Sequence, residues 1–458
     1  MARSCGCNEF SRRHLLESTA AEAGRGLPAI EPGMPEPAGT GLSRRSFMLR
    51  SGALLLSVYG ASRLGLGQLS EGVAQAAGTA DPVLVTVFLD GGIDGLSVLA
   101  PVEDPVYRRL RPTLALDPDG GTPFAEDSRL RWHPAAGSLN KLHRQGKLSV
   151  MPAVGYAHAN QSHFTSRHYW EVGSLSATEP TGWLGRLLDV IGTPDNPLQG
   201  LSLDGHLSPV LAPKRVPVAA VDGPRYDLWA PGVWGDVEDL MFGSMAALGG
   251  SHAAGMDPAR AQAGYVATQA MDVRRRLRPF ADRDITPPVP YPDGGDESFP
   301  DNMAALAALL AAGLPIRCVA LSGPGFYDTH EDQRTALSTG LKLSADSLAA
   351  FQRDLESRGI ADRVVTLIWS EFGRRPEQNA SNGTDHGAGG VGFVMGSRVR
   401  GRMLGEFPGL AKLDEDDNVR PTLDFRALYC SVLEQWLHQD ASRIIPGAAG
   451  FQRPRVIA

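Results

Sequence analysis

Four almost unbroken apolar runs, at 83–89, 148–154, 316–321 and 364–369, constrain this chain more than any other feature. A strand with one face in water alternates apolar and polar residues. An uninterrupted run needs cover on both faces, as strands of a parallel sheet have. Stretches of helical period lie between the runs, at 135–143, 162–173, 182–191, 256–277, 303–312 and 333–355, and an amphipathic pattern at 424–437 closes the chain. A short strand is read at 199–203 and a fifth long one at 391–395. Alternation of strands with helices predicts an α/β fold, a mainly parallel sheet with helices on both faces.

In such a sheet, ligands bind outside the carboxyl ends of the strands. The first run is followed by Asp90 and Asp94 in a Gly-rich loop, the second by Gly155, His158, Ser162 and His163, the third by Asp328 and His330. Ser370-Glu371-Phe372-Gly373-Arg374 follows the fourth, and Asp385-His386-Gly387 precedes the fifth. Carboxylates and imidazoles therefore recur at successive strand ends. That mixture suits a divalent metal site, because carboxylate oxygen and imidazole nitrogen are the ligands such cations take. It also suits acid–base catalysis. Each residue has a plainer reading alone. Asp90 and Asp94 are turn formers, Ser162 is a helix N-cap, and Glu371 with Arg374 is a structural ion pair.

Ser43-Arg44-Arg45-Ser46-Phe47-Met48-Leu49-Arg50 precedes a short apolar run, and Ala74-Gln75-Ala76 offers small residues at a cleavage point. Basic, apolar and A-x-A segments together make a secretory signal, and the paired arginines resemble the twin-arginine export signal. The expectation is a leader over 1–76, Pro-rich and disordered upstream of Ser43, then one domain over 77–458 with an irregular insertion near 210–255. The location expected is periplasmic or extracellular. No later segment is apolar for the roughly 20 residues a transmembrane helix needs.

A net charge of −7 with no basic stripe argues against a nucleic-acid partner. The Asp90–Gly95 loop lacks the G-x-G-x-x-G spacing of a dinucleotide site, and no nucleoside-triphosphate loop is present. Beyond the leader, Cys318 and Cys430 are too few for a disulfide framework, and Cys318 reads as a buried thiol.

Several of these motifs together resemble domain of unknown function family 1501 (DUF1501). They are the twin-arginine leader, Phe88-Leu89-Asp90-Gly91-Gly92-Ile93-Asp94-Gly95-Leu96-Ser97 with Pro101 and Arg111-Pro112-Thr113, Ser162-His163-Phe164 with Tyr169-Trp170-Glu171, Gly182-Trp183-Leu184, and Ser370–Arg374 followed by Gly383-Thr384-Asp385-His386-Gly387. That family is regarded as similar to the alkaline phosphatase and sulfatase superfamily. The resemblance implies an alkaline-phosphatase-like domain with Ser162 as nucleophile, His163 and Arg374 assisting, and metal held by Asp94, Asp328, His330, Glu371, Asp385 and His386. Asp90 is the alternative to Asp94. Glu371-Phe372 stands where the superfamily has an Asp-His pair, so one imidazole of a two-metal site is missing. The C/S-x-P-x-R setting of formylglycine sulfatases is absent too. The reading is an exported protein, either a metal-dependent hydrolase of small anionic phosphate or sulfate esters, or a binding or assembly protein on the same scaffold.

Overall fold

In the computed structural model, which describes residues 58–59, 81–223, 240–244, 247, 258–281 and 286–458, the apolar runs become strands of a single sheet. The strands are β1 (Val58–Tyr59), β2 (Val83–Phe88), β3 (Leu148–Gly155), β4 (Gly200–Ser202), β5 (Val218–Ala220), β6 (Cys318–Ser322), β7 (Val364–Trp369), β10 (Gly390–Met395) and β11 (Leu423–Asp424). A hairpin of β8 (Arg374–Gln378) and β9 (Thr384–His386) stands apart from them. Across the large sheet the order is β1-β5-β4-β6-β2-β7-β10-β3-β11. Every β2 residue is buried, as an unbroken apolar run requires. Val83, Val85 and Val87 enter one core, while Leu84 and Phe88 enter the other.

Among the described residues, the helices of the two covering layers include α1 (Gly137–Arg144), α2 (His163–Val172), α3 (Trp183–Ile191), α4 (Pro258–Ala281), α5 (Phe299–Ala311), α6 (Gln333–Ser357) and α7 (Phe425–Gln435). Apolar residues of α1, α4, α5 and α6 fill the first core. Trp170 of α2, Leu187 of α3 and Leu428 of α7 fill the second. The expected α/β architecture is therefore present. Within the stretch read as irregular, Val218–Ala220 pairs with β4 in parallel register. Cys318 is a buried free thiol, and burial pushes its pKa up to about 12.

Strand direction places the site. β4, β5, β6, β2 and β7 are parallel neighbours, but β10 runs against β7 and β3. The amino end of β10 thus lies at the edge where β2, β6 and β7 have their carboxyl ends, and the hairpin before β10 delivers His386 to that edge. Arg44, Arg45 and the expected cleavage point at Ala76 lie outside the described residues. Val58–Tyr59, inside the expected leader, pairs with β5 at one sheet edge. No helix among the described residues is long and apolar enough to cross a membrane.

Candidate metal centre

Asp328 is the hub. It follows β6 in a loop pinned from both sides, because the Tyr327 N–H donates to Asp90 O (2.9 Å) and the buried Tyr327 hydroxyl lies 3.0 Å from Ser344 Oγ. Asp328 Oδ1 lies 2.6 Å from Arg374 Nη2, 2.9 Å from His330 Nε2, 3.2 Å from His386 Nε2 and 3.4 Å from His163 Nε2. His330 Nε2 and His386 Nε2 are 3.0 Å apart. Ligand atoms of His163, Asp328 and His386 all lie within 4.8 Å of one another, a group that could hold a metal ion.

The far nitrogen of each ring is also held. His163 Nδ1 is 2.7 Å from Glu371 Oε1, His330 Nδ1 is 3.0 Å from Asp385 Oδ1, and His386 Nδ1 is 2.7 Å from Gln161 O. A ring whose Nδ1–H donates to a carboxylate or carbonyl presents Nε2 as a lone pair, the orientation metal-bound histidines adopt. Two lone pairs 3.0 Å apart repel unless a proton or cation lies between them. His163 Nε2 is buried and makes no hydrogen bond. This donor set fits a divalent cation bound through imidazole nitrogen and carboxylate oxygen.

Charge follows the geometry. Burial would raise the Asp328 carboxyl, but His163, His330, His386 and Arg374 hold it far below the usual range. Burial likewise opposes protonation of His163, yet Asp328 and Glu371 raise that imidazole to about 9. His330 is raised, chiefly by Asp328, whereas burial lowers His386.

The other expected site residues have different surroundings. Glu371 is fully buried, and its carboxylate accepts from Gly91 N (3.0 Å), Gly92 N (3.1 Å) and Ser370 Oγ (3.0 Å) as well as facing His163. It stands behind His163, not against Asp328. Arg374 is also fully buried. Besides Asp328 it donates to the carbonyls of Gly92 (2.8 Å), Thr384 (2.8 Å), Tyr327 (3.1 Å) and Gly91, so it clasps the loops that carry the histidines. Asp385 stands behind His330, with its side chain half exposed. Ser162 is exposed at the start of α2 and makes no capping bond; it sits between Gln161, whose carbonyl holds His386, and His163.

Asp94 does not join the hub. Its carboxylate pairs with Arg111 (2.5 and 3.0 Å), accepts from Ser97 Oγ (2.6 Å) and Gln333 Nε2 (2.6 Å), and caps a helical turn through the Leu96 N–H (3.2 Å). Arg111 donates in turn to the carbonyls of Arg375 (2.9 Å) and Pro376 (2.8 Å) in β8. Gln333 Oε1 accepts from Thr384 Oγ1 (2.5 Å) and Thr329 Oγ1 (2.9 Å). Asp94 therefore anchors a network that braces both histidine loops. Asp90 Oδ2 lies 3.9 Å from Arg167 Nη1. The sequence reading had no means of finding the Gln161 carbonyl, since a backbone group leaves no residue signature. Arg111 was visible only as part of a motif.

The clasp explains the two glycines. Gly91 has φ +106°, and a Cβ there would lie 2.3 Å from Asp328 N. Gly92 has φ +73°, and a Cβ there would lie 2.4 Å from the Phe372 ring. L side chains avoid such backbone, and here they would also collide with the hub.

Comparison with known proteins bears on this directly. Residues 255–436 match the family described as "Protein of unknown function (DUF1501)". The motif resemblance to DUF1501 is thereby borne out. The matched stretch holds Asp328, His330, Glu371, Arg374, Asp385 and His386. No curated protein matches the sequence. Solved structures similar to the chain include PsFucS1 sulfatase from Pseudoalteromonas sp., at 12% identity over 77% of this chain and 67% of that one, with a TM-score of 0.34. Another is a protein in the alkaline phosphatase superfamily from Vibrio parahaemolyticus, at 8% identity over 86% and 77%, TM-score 0.33. A third is the C-terminal periplasmic domain of EcEptC from Escherichia coli in complex with Zn, at 7% identity over 78% and 82%, TM-score 0.35.

Proposed function

We propose that this DUF1501 chain is an exported, metal-dependent hydrolase of small phosphate or sulfate esters. One observation carries the reading: three imidazoles have Nε2 directed at one Asp328 oxygen while a carboxylate or carbonyl holds each Nδ1. Asp328 and His386, with His330 or His163, would hold the cation. A bound divalent cation supplies Lewis acidity toward an ester oxygen and lowers the pKa of a coordinated hydroxyl. Ser162, at the N-terminus of α2 beside the hub, is the proposed nucleophile. Free amides and the helix dipole there favour an anionic substrate. Arg374, spent on carbonyls, is a positioning residue that holds Asp328. Its charge beside Asp328 also favours the second reading, a binding or assembly protein whose site no longer turns over.

Elemental analysis of the full chain, expressed with its own export signal, separates the two. The expected result is stoichiometric divalent metal, with hydrolysis of at least one phosphate or sulfate monoester abolished by a chelator. Folded, metal-free protein that hydrolyses none of a broad ester panel overturns the proposal. Export is tested separately. The paired arginines predict that Arg44→Lys with Arg45→Lys leaves unprocessed precursor in the cytoplasm, read by cell fractionation. Normal export of the double variant refutes the twin-arginine route.

A further inference from the structure

The large sheet ends, far from the metal centre, on a strand that comes from the expected leader. Val58 stands opposite Ala219 and Tyr59 opposite Val218, antiparallel on the outer side of β5, and α4 lies against the same strand. On its inner side β5 pairs with β4. Unpaired N–H and C=O groups at a sheet edge recruit further strands, so natural edges are guarded by charge, proline, bulges, shortness or a cover. The opposite edge follows that rule, because β11 includes Asp424, held 2.7 Å from Arg426. β5 does not. Val218, Ala219 and Ala220 are buried, uncharged and apolar, with no proline among them. Among the described residues, β5 is guarded only by its shortness and by the leader strand. Leu54-Leu55-Leu56-Ser57-Val58-Tyr59 is equally free of charge, and its β-branched and aromatic end suits a strand.

We infer that the outer edge of β5 is a strand-docking site, and that its occupant is the chain's own leader, held through Val58 and Tyr59. The role of the leader rests on the export reading above; the docking itself rests on nothing in the metal centre. Twenty-three residues separate Tyr59 from Val83, and fully extended they reach about 75 Å. β1 and β2 are four positions apart in the sheet order, roughly 19 Å at the usual strand spacing. The expected cleavage point after Ala76 lies within that stretch. A cut there severs the covalent link and leaves the strand held by main-chain pairing, which is how an extended peptide binds a sheet edge. Docking also requires a folded domain, since β5 offers its outer edge only once β4 holds the inner one. An apolar segment laid into the sheet is withheld from an export receptor, so sheet and receptor compete for it. Departure of the leader opens β5.

The test uses the purified, uncleaved full chain carrying Cys5→Ser and Cys7→Ser; Cys318 and Cys430 are buried and stay. With Val58→Cys and Ala219→Cys, mild oxidation should close a disulfide in most chains, because opposed antiparallel residues have Cα atoms about 4.5–5.5 Å apart, within a disulfide's span. Lys214 is exposed a few residues away, and Val58→Cys with Lys214→Cys should link about tenfold more slowly, since only register brings two thiols into that span. Hydrogen exchange gives the second readout. Val58→Pro with Tyr59→Pro removes two strand N–H groups, and the amides of 218–220 should then exchange about tenfold faster, as those of an opened edge do. An excess of synthetic peptide 51–62 should restore their protection. No disulfide at Ala219→Cys, equal linkage to Lys214→Cys, or unchanged exchange in the proline variant overturns the docking site. Both readouts are made on purified chain, so they decide the docking whatever the paired-arginine variant does; normal export of that variant overturns the leader's role alone.

Discussion

Asp328→Ala should empty the proposed metal centre and abolish the proposed ester hydrolysis while leaving the chain folded. Its Oδ1 is the one atom that His163, His330, His386 and Arg374 all approach, between 2.6 and 3.4 Å. Removing it leaves three imidazoles and a guanidinium facing one another, a wholly cationic or neutral lining with no carboxylate to balance a divalent ion. The loss of affinity should exceed the 10–100-fold typical of removing an outer partner. Arg374 keeps its bonds to backbone carbonyls, so the chain should still fold, at the stability cost of leaving that buried guanidinium without its carboxylate. Metal content by elemental analysis and the far-ultraviolet dichroism of the same sample check both halves. Stoichiometric metal in Asp328→Ala would show that the cation sits elsewhere.

Asp94→Ala should destabilise the fold strongly although Asp94 lies outside the hub. Asp94 and Arg111 are 1% and 0% exposed, so their pairing takes two charges out of water. Breaking a buried pair by removing one partner costs roughly 3–5 kcal/mol, because the other charge stays buried without compensation. For a domain of this size that lowers Tm by several degrees. Denaturant unfolding measures it, and a loss under about 1 kcal/mol would refute the account. Converting Arg111 to Met in the same chain should cost less than the sum of the single changes, since the orphaned charge goes too. The pair also sets a pH dependence. Burial raises the Asp94 carboxyl, but Arg111, Ser97 and Gln333 outweigh it and hold it below the usual aspartate range. A depressed folded value means that this contribution is present above the unfolded aspartate value of about 3.9 and is lost as pH falls through the folded one. The parent should therefore lose stability in acid, below about pH 4, in a phase that Asp94→Ala lacks.

The fold was legible because burial leaves a mark on composition. The run at 83–89 has no exposed face to alternate with, and it became a central strand with every residue buried. Strand direction leaves no such mark. Gly390–Met395 is as apolar as its neighbours, and only the structure shows that it runs the other way. At the site, residue type and position after a strand were enough to list His163, Asp328, His330, Glu371, Asp385 and His386 together. Which of them meet was not readable, because partners are chosen across the fold. Glu371 finds its donors in the Gly91 and Gly92 amides, 280 and 279 residues back along the chain. Asp94 resembles a ligand by its loop, yet it is claimed by an arginine 17 residues on.

Those long separations govern when the centre comes into being. His163 and Glu371 are 208 residues apart, and Gly91 and Glu371 are 280 apart. Closing loops of that length is entropically costly until most of the sheet is in place. No short segment of a nascent chain carries the assembled constellation, so it can arise only near the end of folding. A cation captured at that moment binds the native state alone and draws the equilibrium toward it. The proposed export and the proposed ion are compatible on these terms only with a translocation machinery that moves finished proteins, because a threaded chain would cross the membrane before the site existed.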